Sequence, residues 1–271
     1  MRVAAWFALL LLVAISSGYC QQHTWSPLPS MAVDDLDRVS LDNYGRIFYA
    51  DTKGNVFKID RSGEIISQYS PPIQGRLTQL DAFSTLVLFL FSADLQQATL
   101  LDHHLAPIQH ISFHDDAIGL VKAAALGNNH VFWLFDEMDL SLKKYDYRRR
   151  HILQVQPLFP VIGGDRIEVV EILERDNLVL LNVKDRGLWV FDNQGNFIKR
   201  HEVELTQPLA VYNGQAYYLK GSDLFRLNIH SGEERVYMIP DLSGDGLAVS
   251  AELMLIYSSK SLFPFRMPVS D

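Results

Sequence analysis

Residues 43–66 read NYGRIFYADTKGNVFKIDRSGEII. Within this stretch an apolar run from Arg46 to Ala50 is followed by a turn containing Gly54, and then by a second run, Val56 to Asp60, that ends in a carboxylate. Another glycine turn, at Gly63, leads into further apolar residues. Glycine supplies the positive φ that tight turns between antiparallel strands require. The stretch therefore predicts short antiparallel strands joined by tight turns.

The second run recurs along the whole chain as a short apolar strand that ends in a polar residue. The six copies are Val56–Asp60, Ala98–Asp102, Leu142–Asp146, Leu188–Asp192, Leu224–Asn228 and Leu262–Arg266. Subtraction of the residue numbers puts their final residues 42, 44, 46, 36 and 38 positions apart. Because an Asp or Asn at a strand end accepts hydrogen bonds from turn amides, we interpret the recurrent residue as structural rather than catalytic.

Two further strands precede each copy. The nearer one is almost uniformly apolar, as expected for a strand buried on both faces. These strands are Arg46–Ala50, Leu86–Phe91, Val131–Phe135, Leu178–Val183, Ala216–Leu219 and Leu253–Tyr257. The innermost strands are Arg38–Leu41, Gln79–Ala82, Leu120–Ala124, Ile167–Ile172, Pro208–Val211 and Leu247–Ser250. This spacing is typical of the blades of a β-propeller, so the sequence predicts an all-β fold, a six-bladed β-propeller of four-stranded antiparallel blades.

The ring is expected to close through its N-terminal segment. Only Met267 to Asp271 follow the last copy, which is too little for a fourth strand. Thr24 to Pro29 precedes the first blade and would supply that outer strand, because an open ring would expose an unpaired edge. We therefore predict that residues 21–271 form a single, monomeric β-propeller domain, its ring closed by an N-terminal strand.

The stretch from Asn43 to Asp60, with Gly63 to Ile66, resembles one blade of an NHL-type or related six-bladed propeller. The resemblance extends to Asn177–Ile198. It implies an architecture and leaves the activity open, because the superfamily includes binding modules as well as lactonases and other hydrolases.

Residues 1–20 have the pattern of an export signal. Arg2 is followed by an apolar run from Val3 to Ile15, which is short for a membrane span, and then by small residues. Cleavage after Cys20 is the first interpretation, and lipidation of Cys20 is the alternative. The sequence thus predicts an exported protein, periplasmic or associated with the cell envelope, or else extracellular. The mature domain then has no cysteine pair for a disulfide.

The formal net charge of −8 argues against nucleic-acid binding. One local exception is the basic run Arg148, Arg149 and Arg150 in the turn of blade three. Blade geometry predicts that His103 and His104 lie on the same rim. The group could bind phosphate, lipid head groups or an acidic protein partner, or it could simply be solvated. His110 and His114 belong to an outer strand that holds them too far apart for one metal ion.

A second candidate site is the turn with Asp241, Ser243 and Asp245, whose spacing to Gly246 and Glu252 fits a calcium loop. The residues after Gly246 are predicted to form a strand, which would carry Glu252 out of reach. The alternative is therefore a glycine-rich turn between blades five and six, with no cofactor bound.

The functional prediction follows from what the chain lacks as much as from what it contains. No nucleophile elbow, phosphate-binding glycine loop or mature cysteine nucleophile is present. We predict a non-catalytic exported propeller that serves as a protein-interaction or scaffold module, such as an accessory subunit of a cell-envelope complex. Such a complex, or a lipidated Cys20, would also associate the protein with a membrane. The alternative is a metal-dependent, lactonase-like or esterase-like hydrolase that uses acidic residues around the central channel.

Overall fold

The computed structural model describes residues 25–114, 117–164, 166–205, 207–238 and 244–267. Over these residues the chain forms six antiparallel sheets arranged as the blades of a ring. Five sheets have four strands each, and the sixth combines three C-terminal strands with two short N-terminal ones. The predicted six-bladed β-propeller is confirmed, including its closure by the N-terminal segment.

The strands are numbered in chain order. The N-terminal strands are β1 (Ser26–Pro27) and β2 (Met31–Ala32). Blade one contains β3 (Leu36–Leu41), β4 (Ile47–Asp51), β5 (Val56–Ile59) and β6 (Ile65–Tyr69). Blade two contains β7 (Gln79–Asp81), β8 (Val87–Ser92), β9 (Gln97–Asp102) and β10 (Pro107–Ser112). Blade three contains β11 (Val121–Leu126), β12 (Val131–Asp136), β13 (Ser141–Asp146) and β14 (His151–Pro157).

The second half of the ring follows the same order. A short helix, α1 (Phe159–Ile162), lies between blades three and four. Blade four contains β15 (Val169–Arg175), β16 (Leu178–Val183), β17 (Gly187–Asp192) and β18 (Phe197–His201). Blade five contains β19 (Ala210–Tyr212), β20 (Gln215–Lys220), β21 (Asp223–Asn228) and β22 (Glu234–Met238). Blade six contains β23 (Gly246–Val249), β24 (Leu253–Ser258) and β25 (Ser261–Arg266). In the part of the chain described, no helix is long and apolar enough to cross a membrane.

The hydrophobic core is divided among the blade interfaces. Each of six buried clusters joins one pair of neighbouring blades, and one of them joins blade six to blade one. Phe48 and Leu101 pack together between blades one and two, while Ile47 and Leu255 pack between blades one and six. Full burial of one such side chain stabilises the fold by about 1.5–3 kcal/mol. The second strand of each blade is apolar on both faces because each face contacts a different neighbour.

The innermost strands differ slightly from the sequence-based expectation. β15 and β19 each begin two residues after the predicted starts, Ile167 and Pro208. Proline has no N–H for a strand ladder. The next amide, that of Leu209, donates to the side-chain carboxylate of Glu171 at 3.0 Å rather than to a backbone carbonyl of a neighbouring strand.

Closure of the ring depends on β1 and β2, which both pair with β25. Ser26 lies opposite Arg266, and Met31 lies opposite Leu262. Between the two short strands the Leu28 N–H donates to the Pro264 carbonyl at 2.8 Å. The N-terminal segment therefore supplies the outer strand that blade six lacks.

Deletion of residues 21–30 should lower the thermal midpoint sharply, because it removes β1 and leaves the edge of β25 unpaired at Phe265 and Arg266. Thermal unfolding followed by circular dichroism measures the change. A chain that begins at Trp25 is the matched control, since it keeps every described pairing of β1 and β2. An unchanged midpoint in the deletion variant would contradict closure by this segment.

Candidate functional site

The blades present two rims. The first strand of each blade runs along the central channel, so the turns after the first and third strands lie on one rim, here called the upper rim. The turns after the second strands and the connections between blades lie on the opposite, lower rim. Each candidate residue can be assigned to one of them.

The recurrent strand-end Asp is a turn-building residue on the upper rim. The Asp102 carboxylate accepts the backbone N–H groups of His104 at 2.8 Å and Ala106 at 2.9 Å. Asp60, Asp146, Asp192 and Asn228 each accept two backbone N–H groups in the same way. The hydrogen bond from Ala106 is the largest cause that lowers the pKa of Asp102. The structural interpretation of this repeat is confirmed.

The predicted basic residues lie on the upper rim, in the turns of blades two and three. Arg148, Arg149 and Arg150 are all exposed, and Arg149 is 3.7 Å from the Asp146 carboxylate. The rings of His103 and His104 are 3.9 Å apart, and the Lys58 Nζ donates to the His103 carbonyl at 3.1 Å. The structure also places an exposed histidine, His130, against the ring of Tyr147 on this rim. Sequence reasoning missed His130 because it lies in an ordinary hairpin turn.

A groove of about 360 Å³ opens on the upper rim among the first turns of blades one to four. Leu86 lines it and is 72% exposed, and Tyr44, which follows the lining residue Asn43, is 74% exposed. Arg46 connects their turns, because its guanidinium donates to the Thr85 carbonyl at 3.2 Å and packs over the Tyr44 ring. No periodicity marks these positions, although a tyrosine beside a turn glycine is a signal that sequence reasoning could have used.

Below the groove, the central channel contains a cavity of about 170 Å³. The innermost strands of five blades line it, and its polar lining includes Arg38, Gln79, Glu171 and Tyr257. At its upper end Arg175 forms two hydrogen bonds with the Asp81 carboxylate, at 2.8 and 3.0 Å, and lies over a phenylalanine ring. This ion pair borders both spaces and separates the channel cavity from the groove.

Glu171 is the most perturbed carboxyl group in the channel. Burial is the main reason that its pKa is raised to about 7, against the lowering effects of the Leu209 N–H and of Arg175 and Arg38. Near neutral pH this buried side chain therefore exists in both protonation states. No local sequence pattern indicates this, because Glu171 lies in a strand with no other distinguishing feature.

The lower rim carries the acidic turns that sequence reasoning linked to hydrolase chemistry. Asp136 is buried and lies 2.5 Å from the Lys143 Nζ, which is also 2.9 Å from Asp139. Burial alone would raise the pKa of Asp136, but hydrogen bonds from Lys143 and from backbone amides outweigh it and lower the pKa. Across the described ranges, no three His, Cys, Asp or Glu side chains are grouped closely enough to hold a metal ion. The hydrolase alternative stays a prediction without an assigned site.

The calcium-loop candidate falls only partly within the described residues, since Asp241 and Ser243 lie outside them. Asp245 accepts the Ser259 N–H at 3.1 Å on the lower rim. Glu252 lies beyond β23, where it approaches Arg61 to 3.4 Å on the upper rim. Glu252 is therefore held away from Asp245, as the predicted strand required. Calcium binding by the other three residues stays a prediction, as does lipidation of Cys20, which also lies outside the described residues.

Several solved structures are similar to this chain. BamB from Moraxella catarrhalis is 10% identical with a TM-score of 0.53, over 90% of this chain and 100% of that one. Virginiamycin B lyase from Staphylococcus aureus is 10% identical with a TM-score of 0.55, over 85% and 80%. A chain of a Mitotic Checkpoint Complex is 13% identical with a TM-score of 0.59, over 100% and 99%. Similarity at this level of identity establishes the β-propeller fold and leaves the activity open.

In sequence, no family model and no characterised protein matches the chain.

Replacement of Asp102 by Ala should lower the thermal midpoint by several degrees, because the two turn amides lose their acceptor at a cost of about 1–2 kcal/mol. Asp102→Asn should unfold close to the parental temperature, since Asn228 performs the same role in blade five. Asp94→Ala, at an exposed position in another turn, is the control. Differential scanning calorimetry makes the comparison, and equal midpoints for the Ala and Asn variants at position 102 would contradict the assignment.

The Asp102 carboxylate also makes the thermal stability of the protein depend on pH, in a direction that its pKa determines. The pKa of Asp102 is lower in the folded protein than in the unfolded chain. The ionised carboxylate therefore stabilises the fold at pH values above the unfolded-state pKa, and this stabilisation is lost as the pH falls through the folded-state pKa. The difference in midpoint between the parent and Asp102→Ala should therefore shrink on acidification. A difference that grows toward acidic pH would contradict this account.

Proposed function

We propose that this protein is a non-catalytic β-propeller that binds a protein partner through its upper rim. The proposal rests on three features that occur together on this rim. A groove of about 360 Å³, the exposed pair Tyr44 and Leu86, and the exposed run Arg148–Arg150 all lie on the same face.

These are the side chains that protein interfaces favour. Tyrosine and arginine are enriched among residues that contribute most to binding, and a pocket next to an exposed apolar side chain can receive a partner's anchor residue. The Arg46 contacts hold Tyr44 and the turn of Leu86 in place, which reduces the entropy lost on binding. The groove and its two apolar neighbours therefore form the centre of the proposed interface.

Charge indicates what kind of partner fits this rim. The whole chain has a formal charge of −8, yet the third turn of blade three presents three exposed arginines. Such a local positive region steers and orients an acidic segment. The partner we propose is a protein that presents carboxylates beside at least one large apolar side chain. The similar chain from a Mitotic Checkpoint Complex supports an assembly role for a propeller of this kind.

We further propose that the protein acts outside the cytoplasm, as an exported accessory subunit of a cell-envelope complex. The support is the signal-like pattern of residues 1–20. The mass of the protein recovered from its native membrane and soluble fractions tests this. A chain that starts at Gln21, or one that starts at an acylated Cys20, would agree with export. Recovery of the full chain with residues 1–20 intact would contradict it.

The rim assignment predicts a selective loss of binding. Tyr44→Ala combined with Leu86→Ala should weaken partner binding about tenfold or more, because both exposed side chains lie on the rim at the groove, Leu86 in its lining and Tyr44 next to the lining residue Asn43. Replacement of Arg148, Arg149 and Arg150 by Gln should slow association and reduce its salt dependence. Affinity capture with cross-linking in the native source identifies the partner, and surface plasmon resonance then measures each variant.

The matched control replaces three exposed lower-rim cations, Lys53, Arg166 and Lys260, by Gln. This variant changes the net charge by the same amount as the arginine variant but should retain the partner. Failure to recover a partner reproducibly would contradict the proposed function. Loss of the partner from the lower-rim variant alone would contradict the assignment to the upper rim.

A further inference from the structure

We infer that the channel cavity is a binding site for a small organic carboxylate, held by the guanidinium of Arg38 with Glu171 and Tyr257 beside it. This site is separate from the proposed protein interface. The cavity lies within the ring and the groove lies on the upper rim, with the Arg175–Asp81 ion pair between them.

Arg38 lines this cavity and shares its carboxylate neighbour, Asp37, with a second arginine. Its Nη1 donates to the Asp37 carbonyl at 3.1 Å, and its Nε is 3.5 Å from the Thr78 carbonyl. The Asp37 carboxylate lies 3.5 Å from the same Nη1, but Arg76 also binds this carboxylate, donating to it at 2.7 and 3.0 Å. The Arg38 Nη2 has no hydrogen-bond partner among the described residues. The side chain is 26% exposed, so donors of this guanidinium are available to a ligand.

Arg175, by contrast, is paired with the carboxylate of Asp81. Its two terminal nitrogens bond the Asp81 oxygens, and its side chain is only 10% exposed. These two charges cancel locally. Asp37 is a single carboxylate shared by Arg38 and Arg76, so this group keeps one surplus positive charge when Glu171 is neutral. A guanidinium with free donors in a partly desolvated site favours a carboxylate, since the two planar groups match in geometry.

Glu171 and Tyr257 add hydrogen-bond donors to this site. Glu171 accepts the Leu209 N–H at 3.0 Å through one oxygen, and no ion pair reaches the carboxyl group from the described residues. Its pKa, raised mainly by burial to about 7, makes the protonated form abundant at neutral pH. Burial also raises the pKa of Tyr257 to about 12, so its hydroxyl keeps its proton. A side chain at position 246 would collide with that hydroxyl, which explains the glycine there.

The surroundings of Glu171 determine how its charge changes on binding. It faces Arg38 from β3, Asp81 from β7, Arg175 from its own strand, and Tyr257 from β24. A bound carboxylate adds a negative charge beside it and therefore favours its protonated form. By linkage, binding must strengthen as the pH falls through the pKa of Glu171. The cavity, of about 170 Å³, has room for a small organic carboxylate.

Calorimetric titration of the intact protein with acetate and with propionate, at about pH 6 and about pH 8, tests the inference. We expect saturable binding at one site, tighter at the lower pH. Arg38→Met should weaken it about tenfold or more. Glu171→Gln mimics the protonated carboxyl group, so it should bind at both pH values with little difference between them. Arg166→Met, on the lower rim, is the control and should bind as the parent does.

Glycine is the probe for the competing chemistry, in which an ionised Glu171 would hold an ammonium group. Loss of binding in Glu171→Gln, together with tighter binding of glycine than of acetate, would overturn the carboxylate site. Absence of saturable binding of acetate and propionate by the parent, or unchanged affinity in Arg38→Met, would overturn it as well. Thermal midpoints of all variants verify that they are folded, and Arg38→Lys provides a second variant if Arg38→Met unfolds.

Discussion

Antiparallel pairing between the N-terminal strands β1 and β2 and the last strand β25 is the constraint on which the rest of the structure depends. The six hydrophobic clusters each lie between two blades, and the cluster between blades six and one is complete only when the ring is closed. Met31 belongs both to the closing strand and to the cluster between blades six and one. Closure therefore stabilises the fold through hydrogen bonds and through apolar burial at once.

Closure also creates the two places where function is proposed. It brings five innermost strands around one cavity, and it sets the turns of neighbouring blades side by side on the upper rim. Polar groups inside the ring are mostly paired, as with Arg175 and Asp81 or Lys143 and Asp136, because an unpaired buried charge is costly. Glu171 departs from this rule, and Arg38 shares its one carboxylate partner with Arg76. Such departures in a cavity are common at binding sites.

The fold could be predicted from the sequence because its signals are local. Each strand-end Asp or Asn and its turn occupy a few consecutive residues, and their spacing alone gives the number of blades. The exposed arginines were likewise visible as a run. The channel was not, since Arg38, Asp81 and Glu171 come from three different blades and meet only when the ring forms. The exposure of Tyr44 and Leu86 also depends on how neighbouring blades pack, which no single stretch of sequence records.

The most direct test of ring closure is a disulfide between positions 26 and 266, which lie opposite each other in β1 and β25. The chain has one cysteine, Cys20, so a protein starting at Gln21 with Ser26→Cys and Arg266→Cys contains only the two introduced thiols. Oxidation should link them within one molecule and raise the thermal midpoint, because the cross-link closes a very long loop, and a reductant should reverse the rise. Disulfides that form only between molecules, or a midpoint that oxidation leaves unchanged, would contradict the closed ring.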